Sequence, residues 1–182
     1  MKRNSDIYFD NVDALAGATG NYFLISPRGE LPVVSVVSYK DVPEKGCITS
    51  FSYGLSSRSR PEWIHSRPEF IISVRSEDSA WGQCMGEIIY QLDSDGRVAY
   101  GTVINFKEQV CDESQMTSFL IFCPSLLLGD DAKMVLPDRI IHFSQLYPIY
   151  ESEAEVIHRV GAEHFFCNMG IDFTDVKRAP AV

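Results

Sequence analysis

Metal binding is the first chemistry that the residue types allow. Glu155 and His158 are spaced as E-x-x-H, and His164 and Cys167 repeat the three-residue step. A di-iron bundle uses two such helices plus two further glutamates, and this chain supplies one motif. His158 and His164 are six residues apart, which puts them on different faces of any continuous helix. No metal or other cofactor is expected. Nucleophilic catalysis needs a serine or cysteine beside a base that a third group holds. The chain has no G-x-S-x-G and no local Cys–His signature. Convergence of a histidine with a cysteine in space is left open. Gly17, Gly20, Gly82 and Gly86 lack the strand–glycine–helix context of a phosphate loop. The expectation is a protein that is not an enzyme.

The remaining reactive groups read as structure. Five cysteines (Cys47, Cys84, Cys111, Cys123, Cys167) are scattered, and none forms C-x-x-C. Cys84, Cys123 and Cys167 lie among apolar residues and read as buried, reduced thiols. Asp175 and Arg178, three apart after a helix, read as pairing with each other or with a strand end. Glu69 before an apolar strand, and Glu151 at a helix start, read the same way.

The formal net charge of −9 argues against direct nucleic-acid binding, because phosphates would be repelled over the whole surface. It suits a basic protein partner. Arg58, Arg60, Arg67 and Arg75 make the middle of the chain locally basic, which reads as solvated faces. The apolar runs are too short and broken to span a bilayer, and the basic start lacks an apolar h-region. A cytoplasmic chain with no membrane contact is the expectation.

The elements that must position these groups follow from periodicity. The organising stretch is a strand, Ile140–Ile149. Ile141, Phe143, Gln145, Tyr147 and Ile149 share a face fit for a core. Ile140, His142, Ser144, Leu146 and Pro148 share a face that could meet helices or solvent. Pro148 cannot donate, so pairing should fail on one side there. Ser152 and Glu155 have the spacing of a capping box opening the next helix, and Gly161 marks a kink, a close contact or a break.

Upstream, strands are expected at Asn21–Ser26, Leu31–Tyr39, Cys47–Leu55, Glu69–Arg75, Val98–Asn105 and Met116–Cys123, where valine, isoleucine and aromatic residues cluster. Trp81, Cys84, Met85, Ile88, Ile89 and Leu92 give an amphipathic helix over Ala80–Leu92. Gly82 and Gly86 weaken that helix but permit close contact with a sheet. Asn11–Ala16 reads as a short helical turn capped by Asn11, within residues 1–30, where signals are weakest. Trp63 and Ile64 read as a short apolar anchor. The fold class is α+β (mixed α/β): a central mixed, largely antiparallel sheet packed against two main helices. One domain over residues 1–182 is expected.

Several pieces, taken in order, resemble the suppressor-of-fused (SUFU) domain family. They are Ile48-Thr49 leading into Tyr53-Gly54-Leu55-Ser56, Glu69 opening Phe70–Val74, and Gly101-Thr102-Val103-Ile104. Then come Leu146-x-Pro148-x-Tyr150-Glu151, Gly161, and Thr174-Asp175-Val176-x-Arg178. The likeness covers roughly residues 30–178. It implies a SUFU-like fold and a protein-binding role without catalysis. In longer animal members it implies gripping an extended peptide as an added strand. An acidic residue before a proline helps there; this chain has Cys123 before Pro124. Short bacterial members are similar to this chain and are inferred to be immunity proteins that neutralise toxin domains, often nucleases. The resemblance therefore implies a toxin-neutralising interaction domain, or alternatively a peptide-binding regulatory module using an exposed sheet edge. The partner surface is expected to include Glu108, Asp112, Glu113, Asp130 and Asp131, whose loops can present carboxylates to a basic toxin.

Overall fold

A computed structural model describes residues 2–26, 32–95 and 97–182, the side chains of 93–95 excepted. Among the described residues, eight strands form one sheet: β1 (Asn21–Ile25), β2 (Val34–Lys40), β3 (Cys47–Tyr53), β4 (Arg67–Arg75), β5 (Val103–Asn105), β6 (Ser118–Phe122), β7 (Lys133–Val135) and β8 (Ile140–Ile149). The spatial order is β1-β2-β3-β4-β8-β6-β5, with β7 also on β8. Among the described residues, β4 and β8 pair in parallel and the other strand pairs are antiparallel. Four α-helices are described: α1 (Asn4–Ala16), α2 (Ala80–Asp95), α3 (Glu151–Val160) and α4 (Ala162–Asn168). Among the described residues, no helix is long and apolar enough to cross a membrane.

The two faces of β8 separate as their periodicity predicts. Ile141 and Phe143 join Tyr8 and Val12 of α1 in one cluster. Tyr147 and Ile149 join Ala154, Ile157 and Phe165 of α3 and α4 in another. On the opposite face, Leu146 packs with Trp81, Met85, Ile88 and Ile89 of α2. The sheet thus lies between α2 on one side and α1 with α3–α4 on the other. Pairing of β8 with β4 ends at Gln145, before Pro148 is reached.

Helix α2 sits so close to the sheet that its glycines are required. A Cβ at Gly82 would lie 2.5 Å from Ser50 Oγ and 2.6 Å from Ser38 Oγ, and one at Gly86 would lie 2.6 Å from Ile25. The two seryl hydroxyls are themselves bonded at 2.7 Å.

Three expectations need correction. Helix α1 begins at Asn4, not Asn11. Asn11 donates its amide to Ile7 O (2.7 Å) inside the helix, and Arg3 stands at the N-cap. The helix buries only Tyr8 and Val12, too few apolar positions to show as periodicity. The box that opens α3 lies two residues earlier than expected: Glu153 accepts the Tyr150 amide at 3.0 Å. Ser152 Oγ instead donates to Val182 O at 3.1 Å. Finally, only Val103–Asn105 of the expected Val98–Asn105 strand pairs as strand. The Leu31 end of the expected second strand lies outside the described residues.

Candidate functional site

The five carboxylates expected to face a partner fall into two groups on opposite sides of the sheet. Glu108, Asp112 and Glu113 lie on the loop between β5 and β6, by the start of α2. Glu108 and Asp112 are exposed and make no hydrogen bond or ion pair among the described residues. Glu113 is committed internally. It accepts the Trp81 indole N–H at 3.0 Å, the Ser76 hydroxyl, and an ion pair from Lys177 at 3.1 Å. Burial pushes its carboxyl up, but these three donors outweigh burial and hold it below the usual range. Asp130 and Asp131 are exposed in a 3-10 turn, Gly129–Ala132, beside Asn11 and Leu15 of α1. They too have no internal partner among the described residues.

The tail pair also resolves differently from expectation. Arg178 pairs with Glu153, not with Asp175. Its guanidinium donates through both terminal nitrogens, at 2.8 Å from Nη2 to Oε2, and lies over the Tyr150 and Phe173 rings. Glu153 is fully buried and also accepts the Ala181 amide at 3.0 Å.

The more organised surface lies where β4 and β8 begin. Two adjoining clefts of about 320 and 350 Å³ share the segment Trp63–Ser66 as a wall. Arg67, Arg139 and Ile140 line one; Arg97 and His142 line the other. Geometry here is set from below by Glu69, which is fully buried. Its carboxylate accepts the Ser52 hydroxyl (2.6 Å), the amides of Gly54 (2.8 Å) and Ser56 (2.9 Å), and the Ser56 hydroxyl (2.7 Å). Burial raises the Glu69 carboxyl above its usual range against the pull of these donors. The turn so fixed presents Ser56 O to two guanidinium groups, Arg139 Nη1 at 2.7 Å and Arg67 Nη1 at 3.1 Å.

In the second cleft, Ser66 Oγ and His142 Nδ1 are 2.9 Å apart. Burial, with the Lys133 charge, holds His142 below the usual imidazole range. No carboxylate bonds the imidazole among the described residues, so the third member of a nucleophilic triad is not in place. Nor do three metal-ligating side chains converge among the described residues. His158 and His164 are exposed on separate helices, divided by Gly161 at φ +89°. Cys84 is buried as expected; Cys123 and Cys167 are exposed, because β6 ends at Phe122 and the apolar face of α4 is spent on Phe165 and Phe166. Cys123 also gives its carbonyl to Tyr147 Oη at 2.8 Å.

Sequence reading missed this cleft. Ser56, Arg67 and Arg139 are far apart in the chain, and each arginine alone looks like a solvated charge. The only local signal was Trp63-Ile64 between polar neighbours.

The sequence matches the suppressor of fused protein (SUFU) family over residues 30–179. No curated protein matches it. Among solved structures, the fold is similar to a chain of the Sufu–Fu complex, with TM-score 0.71 and 14% identity over 97% of this chain and 91% of that one. It is similar to a SUFU homolog from Neisseria gonorrhoeae, with TM-score 0.75 and 19% identity over 98% and 96%. Drosophila Suppressor of Fused gives TM-score 0.70 and 13% identity over 96% of this chain and 50% of its own length. The chain thus spans half of the Drosophila protein, and at these identities the likeness establishes the fold.

Proposed function

Because the chain belongs to the suppressor of fused family, we propose that it acts by binding another protein, without catalysis, and that it neutralises a basic toxin domain. The observation that carries this reading is the set of exposed, unpartnered carboxylates. Glu108, Asp112, Asp130 and Asp131 face outward with no internal cation among the described residues, on a chain of net charge −9. Charges left open in this way raise association rates with an oppositely charged partner. Glu113 contributes indirectly, by anchoring the loop that carries Asp112. A family chain has been solved as a Sufu–Fu complex, which supports protein binding as the mode. The resemblance to short bacterial members supports an immunity role in the cytoplasm.

The test is co-expression with the products of neighbouring reading frames. Capture of a basic, growth-arresting partner and recovery of growth are the expected results. Failure of every neighbour to bind or to be neutralised would contradict the immunity reading.

A second reading, peptide capture by strand addition, is favoured by β1. This five-residue edge strand pairs only with β2 among the described residues and leaves Leu24 75% exposed. Strand addition depends on backbone bonds and apolar contacts, so it predicts association nearly flat with salt.

A further inference from the structure

We infer that the cleft between Trp63–Arg67 and Leu136–Ile140 seats a carboxylate of a protein partner together with the apolar side chain that follows it. The cleft is an island of positive charge in an acidic protein. Two arginines, Arg67 and Arg139, line it against one carboxylate among the described residues, Asp138. Asp138 is 55% exposed and holds Arg139 Nε at 3.1 Å. Arg67 has no carboxylate partner among the described residues; its bonds go to the carbonyls of Ser56 and Arg58.

Two formal positive charges therefore share one neutral oxygen, Ser56 O. Each still has donors in hand. Arg67 engages acceptors through Nη1 only, and Arg139 through Nε and Nη1. Their remaining nitrogens are not among the buried, unpartnered atoms, and both side chains line the cleft, Arg139 with 11% of its side chain exposed. A guanidinium fork with free N–H groups is matched in shape and charge by a carboxylate. The site is also held ready, because three bonds to Glu69 fix the turn on which both arginines rest, and a fourth ties Glu69 to Ser52 of β3.

The apolar shoulder fixes the rest of the occupant. Ile64 is 79% exposed and Ile140 41%, and both line the cleft; Val135, 75% exposed, lies outside the lining as the cross-strand partner of Ile140. A bare anion would leave this shoulder in water, whereas an acidic residue followed by an aliphatic one covers both parts. The assignment of a protein as the source rests on the protein-binding reading above. The seat itself does not depend on the acidic loops or on a toxin.

The test is a titration of the ¹⁵N-labelled full chain with N-acetyl-aspartyl-leucinamide, followed at the Arg67 and Arg139 Nε–H signals and the Ile64 and Ile140 amides. N-acetyl-asparaginyl-leucinamide and inorganic phosphate serve as comparison ligands. Saturable shifts at all four groups are expected, with the asparaginyl ligand weaker by about tenfold for loss of the charge-assisted bonds. Ile64→Ser, which changes an exposed side chain, should weaken the aspartyl ligand several-fold, and Arg67→Gln should abolish saturation. Absence of saturable shifts, equal response to the asparaginyl ligand, or phosphate binding as tightly would overturn the inference. Binding of the aspartyl ligand alongside failed toxin rescue would leave the seat standing and remove the immunity role.

Discussion

Replacing Glu69 by alanine should cost about 3 kcal/mol of folding stability. The side chain is fully buried, and four donors converge on it. Two of these are backbone amides, of Gly54 and Ser56, which cannot turn away. Each buried amide left unsatisfied costs about 1–3 kcal/mol, while the two seryl hydroxyls can rotate to other acceptors. Removing a desolvated carboxylate offsets part of the loss. Glu69→Gln should cost less, about 1 kcal/mol. Gly54 N, Ser56 N and Ser56 Oγ all bond Oε1, which glutamine retains. Only Ser52 Oγ, which also accepts the Phe70 amide at 2.8 Å, must reorient.

The charge gives a second readout. The unfolded carboxyl releases its proton near 4.5, and burial raises the folded one above that value. Between the two the folded state holds more protons, so the contribution of Glu69 is fully present below pH 4.5 and is lost as pH rises through its folded pKa. Urea unfolding followed by the fluorescence of Trp63 and Trp81 measures both effects. Glu69→Gln should flatten the decline in stability above pH 4.5 relative to the native chain. A loss below about 1 kcal/mol for Glu69→Ala, or the same pH slope for the native chain and Glu69→Gln, would refute this reasoning.

Gly86→Ala should destabilise by about 1–3 kcal/mol despite better helix propensity, because its Cβ meets Ile25 at 2.6 Å. Thermal unfolding checks it. Arg178→Ala should cost about 3–5 kcal/mol by leaving Glu153 buried and unpaired. Arg178→Lys, which cannot bond both carboxylate oxygens from one planar group, should recover only part in the same melt. Asp130→Lys combined with Asp131→Lys should leave stability within about 0.5 kcal/mol. The same double change should slow association with a basic partner by about tenfold or more at low salt, measured by stopped flow.

Burial on two faces and close contact were written in the sequence; convergence was not. Strand β8 could be divided residue by residue, because alternation along it is fixed by backbone geometry and both of its faces meet recognisable cores. Gly82 and Gly86 announced a near approach of helix to sheet. The box at Glu153 could not be distinguished from the competing Ser152–Glu155 spacing, because its deciding partner, Arg178, returns from the end of the chain. Helix α1 was understated because two buried side chains do not make a stripe. The carboxylates of Asp130 and Asp131 are exposed as their turn residues suggest, yet Glu113, in a similar polar loop, is bound by Trp81 and Lys177. The arginine cleft depends on Ser56 meeting Arg139, 83 positions away, and only the parallel pairing of β4 with β8 brings Arg67 beside Ile141.

The most direct test of binding through an acidic surface is the dissociation constant of the purified chain with its captured partner, measured across salt concentration. Between about 0.01 M and about 1 M salt the screening length falls from about 30 Å to about 3 Å. Affinity that collapses over this range, and that is already reduced at low salt by Asp130→Lys with Asp131→Lys, is the predicted result. Affinity that holds nearly constant with salt and is indifferent to those substitutions would contradict it.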